Sequence, residues 1–375
     1  MRVFNGGFIV LFLVMLLLPL VFVDLSSDRV SVMENRMLAN HPPVSDIKNH
    51  PGTFVRGFDT WFKDSIGFRE KLIKLYQMID KNKWLNAVIR YTDGQYVYLI
   101  GEKGHHYFAG GGELISKFQG KQFLSDEQLA NMANKLEEVK TYLDSKGIPL
   151  VVMFCTDKES IYPEYYPKSI KRGSEPIQLD IITSYLQEHT SVDVFNIRQS
   201  LLAEKNNYPL YDVSSGNLTH YNEIGAFFAY RELMKHLNIH FPKIVPYDSN
   251  DIYISYDEEG IPHVSLKTEK TYKKLDTSFF DVVGLTTTTW EQEAYENTQP
   301  DLPVILFFRD SYTLEYYIGK YFAQQFGKAI FIHFNNINRI EECITMSKPD
   351  IVVFESSERQ LSWFAACVAG IPELP

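Results

Sequence analysis

Cysteine is scarce in this sequence, whose 375 residues include only Cys155, Cys343 and Cys367. None of the three lies in a CxxC pair or in a spacing typical of a metal site. Cysteines placed in this way do not indicate a disulfide framework. Cys155 ends an apolar run and is expected to be a packed thiol. We therefore expect no metal site, and no motif in the sequence calls for a cofactor.

Basic residues are also fewer than acidic ones, with 37 Lys and Arg against 47 Asp and Glu, and the formal net charge is −10. Nucleic-acid binding depends on basic side chains that neutralise phosphates, so the composition speaks against a nucleic-acid partner. Tryptophan is rare, at 4 residues against 26 Phe and 23 Tyr. We expect most of these aromatic rings in the core, and the hydrophobic fraction of 45% excludes a disordered chain.

Only one long apolar run is present, at residues 8–23. Arg2 is the only charge before it, and no small-residue cleavage site follows. This pattern is typical of an N-terminal signal anchor, which we place at residues 1–24. A cleaved signal peptide is the alternative. In both cases the rest of the chain is expected outside the cytoplasm, and with the anchor retained the protein would be a single-pass protein of the cell membrane.

The remaining sequence divides into two parts. Residues 25–90 combine a polar, proline-containing stalk with a segment of mostly helical apolar spacing that is interrupted at Gly67. Residues 91–375 begin with a predicted hairpin at 94–108 and then alternate apolar runs with amphipathic stretches. Strands are expected at 148–155, 192–195, 304–308, 329–334 and 351–354, and helices at 125–146, 176–189, 223–237, 314–326 and 337–346.

Strands that alternate with helices are typical of an α/β domain. The run at 148–155 is apolar throughout, which indicates a strand buried on both faces, as parallel strands usually are. Residues 241–302 break the alternation with short stretches rich in Tyr and Thr, and we interpret them as a β-rich insertion. We therefore predict a mostly parallel sheet with helices on both faces.

In open α/β sheets, functional side chains gather just beyond the carboxyl ends of the strands. Ser311 lies at such a point, in the run RDSY that follows the apolar residues 304–308. Backbone N–H groups at the start of a helix can stabilise an oxyanion, so Ser311 is a candidate nucleophile. The alternative is that Asp310 or Ser311 only caps the helix.

His220 is the candidate general base, because histidine is the side chain that titrates nearest neutrality. It stands in a polar loop just before the helix predicted at 223–237. The alternative is an exposed loop histidine, since the chain contains ten. A third polar loop, at residues 156–164, follows the buried run at 148–155. Its side chains either orient a substrate or a catalytic partner, or face solvent.

These segments resemble, in order, those of the SGNH-type exopolysaccharide O-acetyltransferase family, which includes the alginate O-acetyltransferase AlgJ/AlgX group and is related to the DHHW proteins. The similarity spans nearly the whole chain after the predicted anchor. It rests on Glu34-Asn35-Arg36 for the ENR segment, residues 61–69 for F-x-D-x-x-G-F-R, residues 157–164 for P-x-K-x-x-I-Y-P-E, His220 with Gly225-Ala226 for D-x-H-W-x-x-x-G-A, Asp310-Ser311 for G-D-S-F, and residues 349–355 with Glu358-Arg359 for the tail.

The resemblance implies an SGNH-hydrolase-like fold with Ser311 as nucleophile and His220 as base. Leu218 stands where the family has its catalytic aspartate. Asn217, Asp212 or a residue from elsewhere is then the candidate to orient His220, or a Ser–His dyad operates. Arginine replaces the glycine of the family motif just before Asp310-Ser311 and could hold an anionic or carbonyl group. The predicted catalytic residues are Ser311, His220, Asp310 and Asn217, and the predicted substrate-binding residues are Arg309, Tyr312, Lys158 and Tyr221.

What the resemblance implies in function is an extracytoplasmic O-acetyltransferase. It would move acetyl groups to hydroxyls of a secreted or cell-surface polysaccharide through an acyl-serine, without a cofactor. Because acetyl-CoA is cytoplasmic, the resemblance also implies a membrane-bound O-acyltransferase partner that supplies the acyl group. Water in place of the sugar would make the protein an acetyl-esterase. The alternative from another class is a catalytically silent glycan-binding or scaffold subunit of a polysaccharide secretion complex.

Overall fold

A computed structural model of the chain describes residues 14, 17–26, 30–31, 36–69, 71, 88–92, 96–110, 113–121, 124–214, 216–276, 280, 292–299 and 301–374. The chain divides into two compact units, residues 1–96 and 97–375. Among the described residues, no helix has the length and apolar character needed to cross a bilayer. Most of the predicted anchor lies outside the described residues, so the anchor stays a prediction.

The first unit contains the short paired strands β1 (Val30–Ser31) and β2 (Arg36–Met37), the helices α1 (Asp46–Asn49) and α2 (Pro51–Ser65), and strand β3 (Val88–Thr92). Pro51 opens α2 at a position where its missing N–H costs no helical hydrogen bond. Phe54, Phe58 and Trp61 follow one another at helical spacing and cluster around His41. The predicted helical spacing before Gly67 is confirmed, and its continuation at 72–86 lies outside the described residues.

The second unit is an α/β domain. Its strands are β4 (Tyr96–Ile100), β5 (His106–Gly110), β6 (Leu150–Cys155), β7 (Asp193–Asn196), β8 (Ile252–Tyr256), β9 (Pro262–Leu266), β10 (Tyr272–Lys274), β11 (Gln292–Asn297), β12 (Val304–Arg309), β13 (Lys328–His333) and β14 (Ile351–Ser357). Its helices are α3 (Glu113–Phe118), α4 (Asp126–Asp144), α5 (Lys158–Ile161), α6 (Gln178–His189), α7 (Arg198–Glu204), α8 (Glu223–Leu237), α9 (Lys320–Gln325), α10 (Ile340–Ser347) and α11 (Leu361–Ala369). Short 3₁₀ turns lie at Glu102–Gly104, Pro163–Tyr165, Ser311–Thr313, Phe334–Arg339 and Glu358–Gln360.

The main sheet has seven strands in the order β10-β11-β13-β12-β14-β6-β7. The strands from β13 to β7 run parallel, whereas β10 and β11 pair antiparallel at one edge. This order brings the carboxyl ends of β12, β14 and β6 side by side. The loops that follow these three strands therefore meet at one edge of the sheet, where α/β proteins place their functional groups.

Each face of the sheet carries its own hydrophobic core, because successive side chains of a strand point to opposite faces. Along β6, Val151 and Met153 pack into one core together with Phe227 of α8. The alternate residue Val152 packs into the other core together with Leu136 of α4. The predicted mostly parallel sheet with helices on both faces is therefore confirmed. Cys155 is buried, as expected of a packed thiol.

The β-rich segment at 241–302 is only partly separate from the main sheet. Strands β8 and β9 pair with each other as an antiparallel hairpin outside it. Strand β10 pairs with β11, and β11 pairs with β13 of the main sheet. The prediction of β structure is confirmed for the described residues, but β10 and β11 extend the central sheet and are not an independent insertion.

The helix predicted at 314–326 is wrong over its first half. A 3₁₀ turn at Ser311–Thr313 and a π turn at Glu315–Gly319 come first, and regular helix begins only at Lys320. The Leu314 carbonyl accepts hydrogen bonds from the N–H groups of Tyr317 at 3.0 Å and Gly319 at 3.1 Å. Regular α-helical pairing is thereby lost, and the Tyr317 hydroxyl accepts a hydrogen bond from Asn217 in the loop before α8.

Replacing Gly225, in the first turn of α8, with alanine should lower the free energy of unfolding by about 1–3 kcal/mol. A Cβ at this position would lie 2.4 Å from the carbonyl oxygen of Leu210 and 2.7 Å from Tyr221 Cβ. The change is measured by denaturant unfolding of the full chain. Gly370→Ala is the matched control, because a Cβ there meets its nearest atoms at an ordinary 3.4 Å. Equal effects of the two substitutions would contradict the steric argument.

Candidate active site

Ser311 occupies the first position of the 3₁₀ turn that follows β12. Asp310 caps this turn, because its Oδ1 accepts a hydrogen bond from the N–H of Tyr312 at 2.8 Å. Asp310 Oδ2 accepts a second hydrogen bond, from the N–H of Ser357 at 2.8 Å. Of the two capping alternatives, the structure therefore selects Asp310. The Ser311 hydroxyl is left for another partner.

That partner is His220, whose Nε2 lies 2.7 Å from Ser311 Oγ. The distance is typical of a hydrogen bond between a hydroxyl and an imidazole. His220 stands two residues before Asn222, which caps α8 through its side chain. The imidazole also packs against the ring of Tyr312, with 4.6 Å between the ring centroids. A hydroxyl and a neutral imidazole in this arrangement can exchange a proton.

The other ring nitrogen of His220, Nδ1, lies 2.6 Å from Thr219 Oγ1 and 3.2 Å from Asn217 Oδ1. The Thr219 hydroxyl donates to Asn217 Oδ1 at 2.9 Å, so it accepts from the imidazole. Asn217 Oδ1 also accepts the backbone N–H groups of Thr219 at 3.0 Å and His220 at 3.1 Å, which makes an Asx turn. These bonds assign the ring proton to Nδ1 and leave Nε2 free to accept from Ser311.

Asp212 supports this loop one step further from the histidine. Its Oδ2 accepts a hydrogen bond from the N–H of Asn217 at 2.8 Å, and its Oδ1 accepts one from Asn222 Nδ2 at 3.3 Å. Gly216 permits the close approach, since its φ is +74° and a Cβ there would lie 2.3 Å from Asp212 Oδ2. Of the predicted candidates for orienting His220, Asn217 contacts the imidazole and Asp212 lies behind Asn217.

The environment of His220 favours the neutral imidazole. Burial, followed by the positive charge of Arg359, lowers the pKa of His220 to about 3. The ordinary value for histidine is about 6.5. A neutral imidazole can accept the Ser311 proton and a protonated one cannot. The imidazole is therefore neutral at any pH well above the lowered pKa.

The matches with known proteins bear on the kind of domain that carries this pair. Residues 117–250 match the SGNH hydrolase-like domain of acetyltransferase AlgX. The matched stretch includes Asn217 and His220 and ends before Ser311. The predicted resemblance to the SGNH-type acetyltransferases is thereby confirmed. No curated protein matches the sequence of the chain.

Solved structures share the fold of this chain. Bacillus cereus PatB1, in a structure with a sulfonyl adduct, is 12% identical at a TM-score of 0.52, with 73% of this chain and 97% of PatB1 covered. A DHHW family protein from Eubacterium siraeum is also 12% identical, at a TM-score of 0.51, with 75% of this chain and 97% of that protein covered. At this level of identity the likeness shows the fold alone.

The four predicted substrate-binding side chains are all buried. Their polar atoms bond to the protein: Arg309 to Asp310 O at 3.2 Å, Tyr312 to Asp157 Oδ1 at 2.8 Å, Lys158 to His106 O at 2.8 Å, and Tyr221 to Tyr312 O at 2.6 Å. The bonds of Tyr312 and Tyr221 connect loops around the Ser–His pair. Contact with a substrate stays a prediction for all four, and so does any chemical role of Asp310 beyond its cap.

Two residues close to the pair were not singled out by the sequence analysis. Thr219 contacts His220 Nδ1, and the only sequence signal is a hydroxyl side chain beside the histidine. Glu355 lies at the end of β14, and its Oε2 accepts hydrogen bonds from the N–H of Asp310 at 3.0 Å and from Thr313 Oγ1 at 2.9 Å. Burial and the charge of Asp310 raise the pKa of Glu355 well above its usual range. A carboxylate at the end of an apolar strand was the available signal.

Acyl chemistry also needs donors for an oxyanion. The N–H of Tyr312 is bound by Asp310 Oδ1 at 2.8 Å. Of the N–H groups expected near the candidate nucleophile, that of Ser311 itself is then the candidate donor. Within the described ranges, no group of three or more His, Cys, Asp or Glu side chains is arranged to hold a metal ion.

Proposed function

We propose that the protein is an O-acetyltransferase that passes acetyl groups to hydroxyls of a secreted or cell-surface polysaccharide through an acyl-serine on Ser311. The observation that carries the proposal is the 2.7 Å contact between Ser311 Oγ and the neutral His220 Nε2. The match of residues 117–250 to the AlgX acetyltransferase domain supports the reaction class. The half-buried Asn217–Thr219 loop, which hydrogen-bonds to the imidazole, supports a catalytic role over a silent one.

The reaction would proceed in two steps, acylation of Ser311 and transfer of the acyl group to the sugar. His220 Nε2 takes the hydroxyl proton of Ser311, Oγ bonds to the acyl carbon of the donor, and the donor's leaving group departs with the proton from Nε2. A sugar hydroxyl then gives its proton to Nε2 and attacks the acyl-serine. The bond from acyl carbon to Oγ breaks, and Ser311 recovers its proton. The N–H of Ser311 would stabilise the oxyanion in both steps.

The proposal extends to where the enzyme works. The apolar run at residues 8–23 supports an anchor with the catalytic domain outside the cytoplasm. A domain placed there cannot draw on cytoplasmic acetyl-CoA directly. A membrane-bound O-acyltransferase that hands acyl groups across the membrane would supply the donor.

A glycan acetyl-esterase is the second candidate. The Ser311–His220 contact favours it equally, because the acyl-serine is common to both reactions and only the acceptor differs. Water would then take the place of the sugar hydroxyl. The product therefore decides between the two reactions: acetylated sugar indicates a sugar acceptor, and free acetate indicates water.

The test uses the full-length chain with a chromogenic acetyl ester. Mass spectrometry of the rapidly quenched enzyme should find one acetyl group on the peptide that contains Ser311, and a sulfonyl fluoride should label the same residue and stop turnover. Adding an oligosaccharide should yield acetylated sugar if the enzyme is a transferase. Ester cleavage with no acetylated sugar would favour the esterase. No acetyl-enzyme and no sulfonyl label would overturn both.

A further inference from the structure

Arg359 lies in the turn that follows β14, and its side chain makes polar contacts with three residues at the active site. Its Nε donates to Asp157 Oδ1 at 2.7 Å. Its second terminal nitrogen donates to the carbonyl oxygen of Thr219 and to the Tyr312 hydroxyl, the latter at 2.5 Å. The side chain keeps only 13% of its exposure, and that of Asp157 keeps 2%. The pair is therefore a largely buried ion pair with hydrogen bonds on both sides.

The contacts of Arg359 join three loops that are far apart in the sequence. Thr219 precedes His220, Tyr312 follows Ser311, and Asp157 follows the end of β6. Strand β14 lies between β12 and β6 in the sheet, so a side chain that emerges after β14 lies between the loops of its two neighbours. One guanidinium thus links the loop of the nucleophile to the loop of the base.

We propose that Arg359 is the positioning residue of the Ser311–His220 pair, holding the Thr219 carbonyl and the Tyr312 hydroxyl at a fixed separation. This proposal deepens the proposed function. It rests on the proposed function only for the measurements of enzyme activity. The planar fork of arginine can bind Asp157 and Thr219 at the same time, which the single ammonium group of lysine cannot do in the same geometry. An error of about 1 Å between a nucleophile and its base can cost about 10²-fold in rate.

The same cation has an electrostatic effect on His220. Ser311 and the Tyr312 ring face the imidazole from the nucleophile turn, the Tyr317 ring lies 5.5 Å away between centroids, and Asn217 and Thr219 approach Nδ1. Those groups carry no formal charge, whereas Arg359 is a cation that lowers the pKa of His220 after burial itself. Removing the cation should therefore raise the pKa of His220.

The experiment compares the wild-type chain with Arg359→Gln and Arg359→Lys, full length in detergent. Nitrogen-15 NMR of labelled histidine follows the protonation of His220, and kcat and KM are measured with the acetyl ester at pH 5.5 and 7.5. Wild-type kcat should be nearly equal at the two pH values. In Arg359→Gln, the pKa of His220 should rise by about one unit or more, and kcat should fall at least about tenfold at both pH values because the pair is misplaced. KM should change little.

Arg359→Lys separates position from charge. It keeps the cation and loses the fork, so the pKa of His220 should stay low while kcat falls. Wild-type values of both quantities in Arg359→Gln would overturn the proposal. Breaking a buried ion pair can cost about 3–5 kcal/mol, and if Arg359→Gln does not fold, the Asp157→Asn/Arg359→Gln double variant removes both charges together. A low kcat in the folded double variant supports the proposal, and wild-type kcat overturns it.

Arg339→Gln is the matched control, because it removes a guanidinium that pairs with Glu342. It should leave the titration of His220 unchanged, and an equal pKa shift in this variant would overturn the assignment to Arg359. The two proposals fail separately. A chain that never acetylates Ser311 but still shows the raised pKa in Arg359→Gln contradicts the proposed function and leaves the positioning role standing. If the chain is active and Arg359→Gln changes neither the pKa of His220 nor kcat, only the positioning role is contradicted.

Discussion

Replacing Ser311 with alanine should lower the rate of acyl transfer by about 10⁴-fold, or to the uncatalysed background. The hydroxyl that lies 2.7 Å from His220 Nε2 would be missing, and without it no acyl-enzyme can form. The rates are measured on the full-length chain, by release of the chromogen and by mass spectrometry of the acetylated oligosaccharide. Loss of one oxygen atom at the start of a turn capped by Asp310 should leave the fold intact.

Ser145→Ala is the control for this substitution. Ser145 is exposed at the end of α4, just before β6 begins, and so lies at the edge of the sheet opposite Ser311. This variant should keep the wild-type rate. His220→Ala should cost about as much as Ser311→Ala, and the double variant should cost no more than either, because a nucleophile and its base act as one unit. Transfer at the wild-type rate in Ser311→Ala would remove Ser311 from the mechanism.

The positions of Ser311 and His220, the proposed nucleophile and base, could be predicted from sequence because each stands where an apolar strand or a capped helix meets a polar loop. Ser311 follows β12 and His220 precedes α8, and both positions can be read from hydrophobic pattern and capping residues. Their hydrogen bond could only be expected from the family resemblance. Whether Ser311 or Asp310 capped the turn could not be decided, since both residues are good caps and the choice depends on the contact with His220.

The group that orients His220 was beyond the reach of sequence reasoning for a different reason. The motif position of the family aspartate holds Leu218, and the contact to Nδ1 comes from the residues on either side of it, Asn217 and Thr219. That arrangement requires the loop to fold back at Gly216 and the π turn at Glu315–Gly319 to bring Tyr317 to Asn217. A regular helix, as the periodicity predicted there, does not have this local geometry.

The Asp157–Arg359 pair illustrates a limit set by topology. Both residues lie in segments that resemble the family, yet they are separated by 202 positions. Their meeting follows from the strand order, in which β14 and β6 are neighbours and parallel. Alternation of strands and helices predicts that the sheet is parallel, but several strand orders satisfy the same pattern. The side chains of two distant loops cannot be paired before that order is known.

Asn217→Ala should reduce kcat by about 10²-fold, which is less than the loss expected when Ser311 or His220 itself is removed. Asn217 Oδ1 accepts hydrogen bonds from the backbone N–H groups of Thr219 and His220 and from the Thr219 hydroxyl, and it lies 3.2 Å from His220 Nδ1. Without this acceptor, neither the loop nor the tautomer of the imidazole is fixed. The measurement is kcat and KM with the acetyl ester, and KM should change little. Full activity in Asn217→Ala would show that the imidazole needs no such support.

The Asn217→Asp variant tests the same position with the charge that the family places nearby. A carboxylate oxygen can accept the same hydrogen bonds, so activity at pH 8 should stay within about tenfold of the wild type. The added negative charge beside Nδ1 should raise the pKa of His220. Nitrogen-15 NMR of labelled histidine should show this rise from the wild-type value of about 3. An unchanged pKa of His220 in Asn217→Asp would mean that residue 217 does not face the imidazole in solution.

The Asp212→Asn variant tests whether His220 is oriented by the Asn217 amide or by the more distant Asp212 carboxylate. If Asp212 were the catalytic acid of the loop, its neutral replacement would cause the largest loss at this site, as the wrong histidine tautomer does in a Ser-His-Asp triad. The geometry predicts instead that Asp212→Asn loses less activity than Asn217→Ala. Asp212 bonds to the N–H of Asn217 at 2.8 Å, and an asparagine oxygen can accept that bond equally well. The loss of kcat should stay below about tenfold, the equivalent of one hydrogen bond. A loss of kcat greater than that of Asn217→Ala would show that Asp212 orients His220.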